Sequence, residues 1–255
     1  MTQFNELNLE SVRVPSFQER IDKFNHMIAD ARRIVFFTGA GISTGSGIPD
    51  FRSADGLYVD NPEYLLSATC LQNEPQKFFD FIKNKMDFRK AEPNIAHQKI
   101  AELQLTRIVS VITQNIDGLH EKVGTKAIAT IHGTMSRAYC QNCLAEYSGD
   151  AIYDYTIDYP ICEDCGGIIR PDIVLYEEGL PMTAWDNALN WTRNADLFVV
   201  VGSSLQVSPA NLLPHFFGKD DKLVIINRDP IGIPAELVFA EDICKVFENV
   251  KVPQN

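Results

Sequence analysis

The chain has 255 residues, 45% of them hydrophobic and 22% charged, a balance that supports a large packed core in one or two domains. It excludes a disordered tail, a collagen-like rod and a coiled coil. The formal charge of −11 argues against a basic nucleic-acid-binding face and favours basic partners such as Lys-rich peptide segments.

No apolar run reaches the roughly 18 residues of a membrane span. Met1 to Pro15 lacks the basic and apolar regions of a secretory signal and reads as a loose arm. A cytoplasmic protein is expected. In that reducing setting the six Cys serve as ligands or free thiols rather than disulfides.

Ser16 caps an amphipathic helix to about Arg32, with Phe17, Ile21, Phe24, Ile28 and Ala31 on one stripe. The apolar runs Ile34–Phe37, Ile108–Ile112, Leu197–Val201 and Leu223–Ile226 read as strands buried on both faces. Helical patterns separate them at Glu74–Arg89, Ile95–Leu103, Met182–Trp191 and Pro209–Phe217. The alternation predicts an α/β, Rossmann-like doubly wound parallel sheet.

Two stretches interrupt it. Residues 48–90 are helical without a clear strand, and residues 136–170 are turn-rich and carry four Cys. The expected division is an arm over 1–15 and a sheet domain over 16–47, 91–135 and 171–255. A helical module over 48–90 and a metal-ribbon module over 136–170 form a smaller lobe.

Gly39-Ala40-Gly41 follows the first strand, where backbone amides and a helix start can face a phosphate. The dinucleotide fingerprint is incomplete: Thr44 stands at the third glycine, and Gly45 comes one place late. A tight structural turn is the alternative. Phe51 and Arg52 follow, an aromatic able to shield a reactive sugar carbon and a fork suited to pyrophosphate. A core Phe beside a surface Arg is the plainer reading.

Further strands end in polar groups. Gln114, Asn115 and Asp117 can bind a ribose and a carboxamide, or cap a helix. His132, followed by Gly133, is a general-base candidate; the His residues at 26, 97, 120 and 215 read as structural or surface groups. Ser203 and Ser204 follow one later strand, and Asn227 another. Each is an ordinary loop taken alone, and their convergence is the signal.

Cys140-x-x-Cys143 and Cys162-x-x-Cys165 are separated by 18 intervening residues, the spacing of a four-thiolate structural zinc site without an open position. A redox dithiol is the competing reading. Cys70 and Cys244 read as buried thiols.

Taken in order, these motifs resemble one family, the sirtuins of bacterial type, which are NAD-dependent protein lysine deacylases. The resemblance runs from about Arg33 to Val246 and rests on 39–43, 47–52, 113–117, 132–133, the four Cys, Gly202-Ser203-Ser204-Leu205 and Ile226-Asn227. It implies a Rossmann-like domain, a small lobe with a zinc ribbon, and NAD consumed as co-substrate in the cleft between them. It gives Gly39, Ala40, Gly41, Thr44, Phe51 and Arg52 to the cofactor loop and Gln114 to the ribose side. Asn115, Ile116 and Asp117 go to the nicotinamide pocket, and Ser203, Ser204, Asn227 and Ile243 to the adenosine half. Glu241-Asp242 replaces the family's usual Gly-Asp before Ile243.

The implied reaction begins with attack of the acyl oxygen of a modified lysine on the nicotinamide ribose carbon. His132 then activates a ribose hydroxyl that takes the acyl group, leaving free lysine, nicotinamide and O-acyl-ADP-ribose. Asn115 and Asp117 assist. Residues 170–178 and 206–208 would hold the acyl-lysine peptide as an added strand. Glu177 stands where the family usually has Gly; its side chain narrows the entrance or repels acidic peptides. Phe81 and Asn84 occupy the places of the Tyr and Arg that mark succinyl removal, so a neutral acyl group is expected. A monomer without nucleic-acid or membrane partners is expected. A mono-ADP-ribosyltransferase and a non-catalytic NAD-binding regulator are the competing readings.

Overall fold

The computed structural model describes residues 13–50 and 62–254. Six strands form one parallel sheet: β1 (Arg33–Thr38), β2 (Ile108–Thr113), β3 (Ile128–Thr130), β7 (Leu197–Val201), β8 (Leu223–Ile226) and β9 (Leu237–Phe239). Their order is β3-β2-β1-β7-β8-β9. The chain steps outward one way from β1 and the other way from β7. The direction therefore reverses between these two central strands, where a crevice opens at their carboxyl ends.

The continuous apolar runs are explained by helices on both faces. Ile34 and Phe36 of β1 pack into a core with α1 (Phe17–Asp30), α5 (Ile95–Leu103) and α9 (Ile243–Glu248). Val35 and Phe37, pointing the opposite way, join α7 (Met182–Asn194) and α8 (Leu213–Phe217). The predicted α1 stripe is buried through Ile21, Phe24 and Ile28, and Ser16 and Glu19 form a reciprocal capping box.

Three helical expectations shift. The helix from Glu74 becomes α4 (Pro75–Lys85), because Asp87 accepts the Arg89 amide and favours a turn over another helical residue. The segment from Pro209 splits into a 3-10 turn (Ala210–Leu212) and α8, since Pro214 has no N–H to offer the Ala210 carbonyl. The glycine turn leads into a 3-10 helix (Ala40–Ser46) rather than an α-helix.

A second core lies outside this sandwich. It joins α2 (Pro62–Leu65), α3 (Ala68–Asn73) and α4 to an antiparallel sheet of β4 (Gly133–Cys140), β5 (Glu146–Ser148) and β6 (Ile169–Ile173), ordered β5-β4-β6. Phe78, Phe79 and Ile82 of α4 meet Ile152, Tyr153 and Ile169 there. Strand β4 begins directly after His132, so the small sheet grows out of the large one. Gly133 makes that junction possible: its φ is +79°, and a Cβ would fall 2.2 Å from the Asp172 carbonyl oxygen. The remaining helix among the described residues is α6 (Leu119–Lys122). Among the described residues no helix is long and apolar enough to cross a membrane.

Candidate active site

The crevice at the sheet's reversal point opens into a cavity of about 840 Å³, within the size range of small-molecule sites. The loops after β1 and β7 make its floor, and they touch backbone to backbone. Gly39 N–H donates to the Val201 carbonyl (3.0 Å) and Gly41 N–H to the Gly202 carbonyl (2.9 Å). A Cβ on Gly41 would sit 2.7 Å from Gly202 Cα, and one on Gly202, where φ is +62°, would sit 2.4 Å from Ile42 N. These glycines thus fuse the two central loops, and the Gly39 and Gly41 amides are already spent on that junction. Their role is close approach, with Ala40 and Thr44 joining them in the cavity wall.

Strand β2 delivers Gln114, Asn115 and Ile116 to the same cavity. Asn115 is buried and its Nδ2 donates to Ser43 Oγ (3.1 Å), which in turn donates to Asp117 Oδ2 (2.6 Å). The other Asp117 oxygen accepts the Leu119 amide at 2.9 Å. Burial pushes the Asp117 carboxyl up, and the Ser43, Leu119 and Asn115 hydrogen bonds oppose this. Asp117 therefore stands behind Asn115 as its anchor through Ser43. Ser43 lies in the glycine turn, where local sequence gives no sign of this role. Its hydroxyl links Asn115 to Asp117, a long-range contact invisible to local spacing.

His132 lies at the end of β3. Its Nδ1 is 3.0 Å from the Gln114 carbonyl oxygen. A carbonyl only accepts, so Nδ1 carries the proton and Nε2 is left as the ring's acceptor. Burial lowers its pKa, against the raising effect of the Gln114 carbonyl, so the ring is neutral at pH 7. Gln114 Oε1 also accepts from Ser203 Oγ (2.7 Å), which joins the ends of β2 and β7. Ser204, Asn227 and Ile243 line the far part of the cavity. Asn227 Nδ2 donates to the Asp229 carbonyl at 2.6 Å. Phe51 and Arg52 lie outside the described residues.

Residues 173–178 and 206–208 form the opposite wall. Arg170, 4% exposed, grips both Glu178 carboxylate oxygens and the Ile173 carbonyl, while Glu178 also accepts the Leu175 amide. This pair, buried on its Arg170 side, holds the shape of the wall. Phe81 packs on the small core and Asn84 is exposed on α4; neither belongs to the cavity wall.

The four Cys of the small sheet converge, with ligand atoms all within 4.8 Å of one another. Cys140 and Cys165 Sγ are 3.4 Å apart, and Cys143 and Cys162 Sγ 3.7 Å. Four thiolates at about 2.3 Å from a tetrahedral zinc would lie near these separations. The Tyr147 hydroxyl donates to Cys162 Sγ (3.1 Å) and lowers its pKa, which favours the thiolate a metal needs.

A doubly wound sheet with polar strand ends around a cavity at its reversal point, joined to a sheet whose four Cys could hold a metal ion, is the arrangement of a nucleotide-cleft enzyme. The Sir2 family matches residues 39–209, and the chain belongs to it. The NAD-dependent protein deacetylase of Listeria monocytogenes serovar 1/2a is 45% identical over 233 residues, covering 90% of this chain and all of the relative. That of Staphylococcus aureus strain Mu50 is 43% identical, covering 90% of this chain and 97% of the relative. Among solved structures, Sir2 with a deacetylated p53 peptide and 3′-O-acetyl ADP-ribose superposes with a TM-score of 0.85 at 35% identity, covering 90% of this chain and 96% of that one. Sir2Tm bound to a propionylated peptide gives 0.81 at 34% identity, covering 89% and 95%.

Proposed function

We propose that the cavity carries out NAD-dependent removal of an acetyl group from protein lysine, yielding nicotinamide and O-acetyl-ADP-ribose. The reading agrees with the activity named for the Listeria and Staphylococcus relatives. The observation that carries it is the His132 tautomer: an NAD-binding regulator has no need of a base with a fixed acceptor nitrogen.

In this reading NAD lies across the reversal point, with its adenosine toward Ser203, Ser204, Asn227 and Ile243. Gly39, Ala40, Gly41, Thr44, Phe51 and Arg52 surround the pyrophosphate and nicotinamide ribose. Asn115, braced by Ser43 and Asp117, and Ile116 hold the carboxamide and favour departure of nicotinamide. His132 Nε2 takes the proton of the ribose hydroxyl that attacks the acyl carbon, and Gln114 orients both the ring and the Ser203 side. An acyl-lysine segment enters along 173–178 and 206–208 as an added strand. Cys140, Cys143, Cys162 and Cys165 would hold one zinc, which supplies cross-linking of the small sheet and no chemistry in the cleft. In this reading the chain keeps the division expected from sequence, a sheet domain over 16–47, 91–135 and 171–255 and a smaller lobe over 48–90 and 136–170, with the two ribbon boundaries falling inside β4 and β6. The surface charge suits Lys-rich substrates, and a monomer in the cytoplasm is the expected setting.

Replacing His132 with Ala tests the assignment. Deacetylation should fall about 10²- to 10⁴-fold, the usual worth of a general base. Exchange of labelled nicotinamide into NAD, which precedes the His132 step, should survive. Equal loss of both reactions would show that His132 acts earlier or only supports the fold.

A further inference from the structure

We propose that Glu177 is a positioning residue, a latch between the start of α3 and the 174–178 segment that sets how an acyl-lysine peptide seats at the cavity. The proposal rests on the deacylase reading above. Glu177 and Glu178 are adjacent acids with separate tasks. Glu178 turns to the buried Arg170, whereas Glu177 reaches across to α3.

The backbone at Glu177 adopts φ +79°. That left-handed conformation strains a residue with a Cβ. Such a conformation persists where surrounding contacts over-determine it. Here the contacts are visible. Glu177 Oε2 accepts from both Thr69 N–H (3.0 Å) and Thr69 Oγ1 (2.8 Å). The Thr69 amide belongs to the first turn of α3, where a donor has no partner within the helix.

Backbone pairing lies directly beside the latch. Ser67 and Tyr176 form a parallel bridge, the Ala68 amide donates to the Tyr176 carbonyl (3.2 Å), and the Tyr176 amide donates to the Leu66 carbonyl (3.0 Å). Leu66, Tyr176 and Glu177 all line the cavity that holds His132. The Glu177–Thr69 contact therefore closes the end of a short seam that holds one wall of the cavity against the helices of the small core. With the latch open, the segment that must pair with a peptide main chain keeps only the backbone bonds of Tyr176 as lateral support.

Three variants test this: Glu177→Gly, Glu177→Gln and Thr69→Val. Glu177→Gly removes the backbone strain and the latch together, so the two effects separate by observable. The melting temperature should hold or rise, while KM for an acetyl-lysine peptide rises about tenfold and KM for NAD holds. Glu177→Gln keeps an acceptor for Thr69 and should recover most of the peptide KM. Thr69→Val should raise it severalfold, and the double variant with Glu177→Gly should be no worse than Glu177→Gly alone. An unchanged peptide KM in Glu177→Gly, or effects of the two sites that multiply independently, would overturn the proposal. An inactive parent protein would instead sink the deacylase reading. Hydrogen exchange at the Thr69 amide would then still decide the latch: faster exchange in Glu177→Gly upholds it, and an unchanged rate refutes it.

Discussion

The two sheets of this molecule are stabilised by different means. The six-stranded sheet buries apolar side chains on both faces, so Phe36 and Phe37, neighbours in sequence, serve two separate cores. The three-stranded sheet has strands of 8, 3 and 5 residues and packs one core against α3 and α4. Short antiparallel strands of this kind are marginal without a staple, and the four Cys are placed to hold one. The large sheet can thus supply a rigid floor for the chemistry, while the small sheet and its helices shape the wall that a substrate meets.

The sharpest way to break this comparison is to remove the staple. Zinc in small domains contributes on the order of 10 kcal/mol of apparent folding free energy. Cys162→Ser, or a strong chelator, should therefore abolish exchange protection over β4, β5 and β6 while β1 and β7 stay protected. Equal protection of both sheets after metal loss would mean that the small sheet stands on its own packing.

A smaller effect is expected at Arg170. Arg170→Met leaves Glu178 without its partner and frees the Ile173 carbonyl, so about 3 kcal/mol of stability should be lost, at the low end for a buried pair because Glu178 is partly exposed. Denaturant unfolding measures it, and a loss under 1 kcal/mol would show that the wall keeps its shape without the pair.

The large sheet has its own weak point. His97 and His120 are buried with ring centroids 4.8 Å apart. His120 Nε2 meets Thr38 Oγ1 at 3.2 Å, whereas neither His97 nitrogen has a hydrogen-bond partner among the described residues. Burial lowers the His97 pKa from 6.5 to about 4. Between these values the unfolded chain binds more protons than the folded one, so stability falls as pH drops from 6.5 toward 4. The cost levels off below that at roughly 3 kcal/mol from His97. Urea midpoints across pH 4–7 should show this slope, and His97→Leu should reduce it, leaving the part due to His120, whose pKa burial also lowers. A slope identical in the variant would place the acid sensitivity elsewhere.

The parallel sheet was legible because burial on both faces leaves continuous apolar runs, and the polar strand ends Gln114, Asn115, His132, Ser203 and Asn227 meet at one cavity as their positions implied. Strand β9, three residues long with Val238 exposed, was missed because it is too short to show a period. The small sheet announced itself only through Cys spacing. Its pairing depends on contacts such as Arg137 with Ser148 and Tyr139 with Arg170, which no local pattern encodes. Ser43 as the link between Asn115 and Asp117, and Glu177 as the partner of Thr69, are likewise tertiary facts.

The most direct test of the cleft's chemistry is a stoichiometric balance on purified protein with NAD and an acetyl-lysine peptide. Coupled deacetylation predicts one nicotinamide and one O-acetyl-ADP-ribose for each lysine freed, with negligible nicotinamide release when peptide is omitted. Nicotinamide release that proceeds without loss of the acetyl group, or label from NAD appearing on protein, would contradict it and point to ADP-ribosyl transfer.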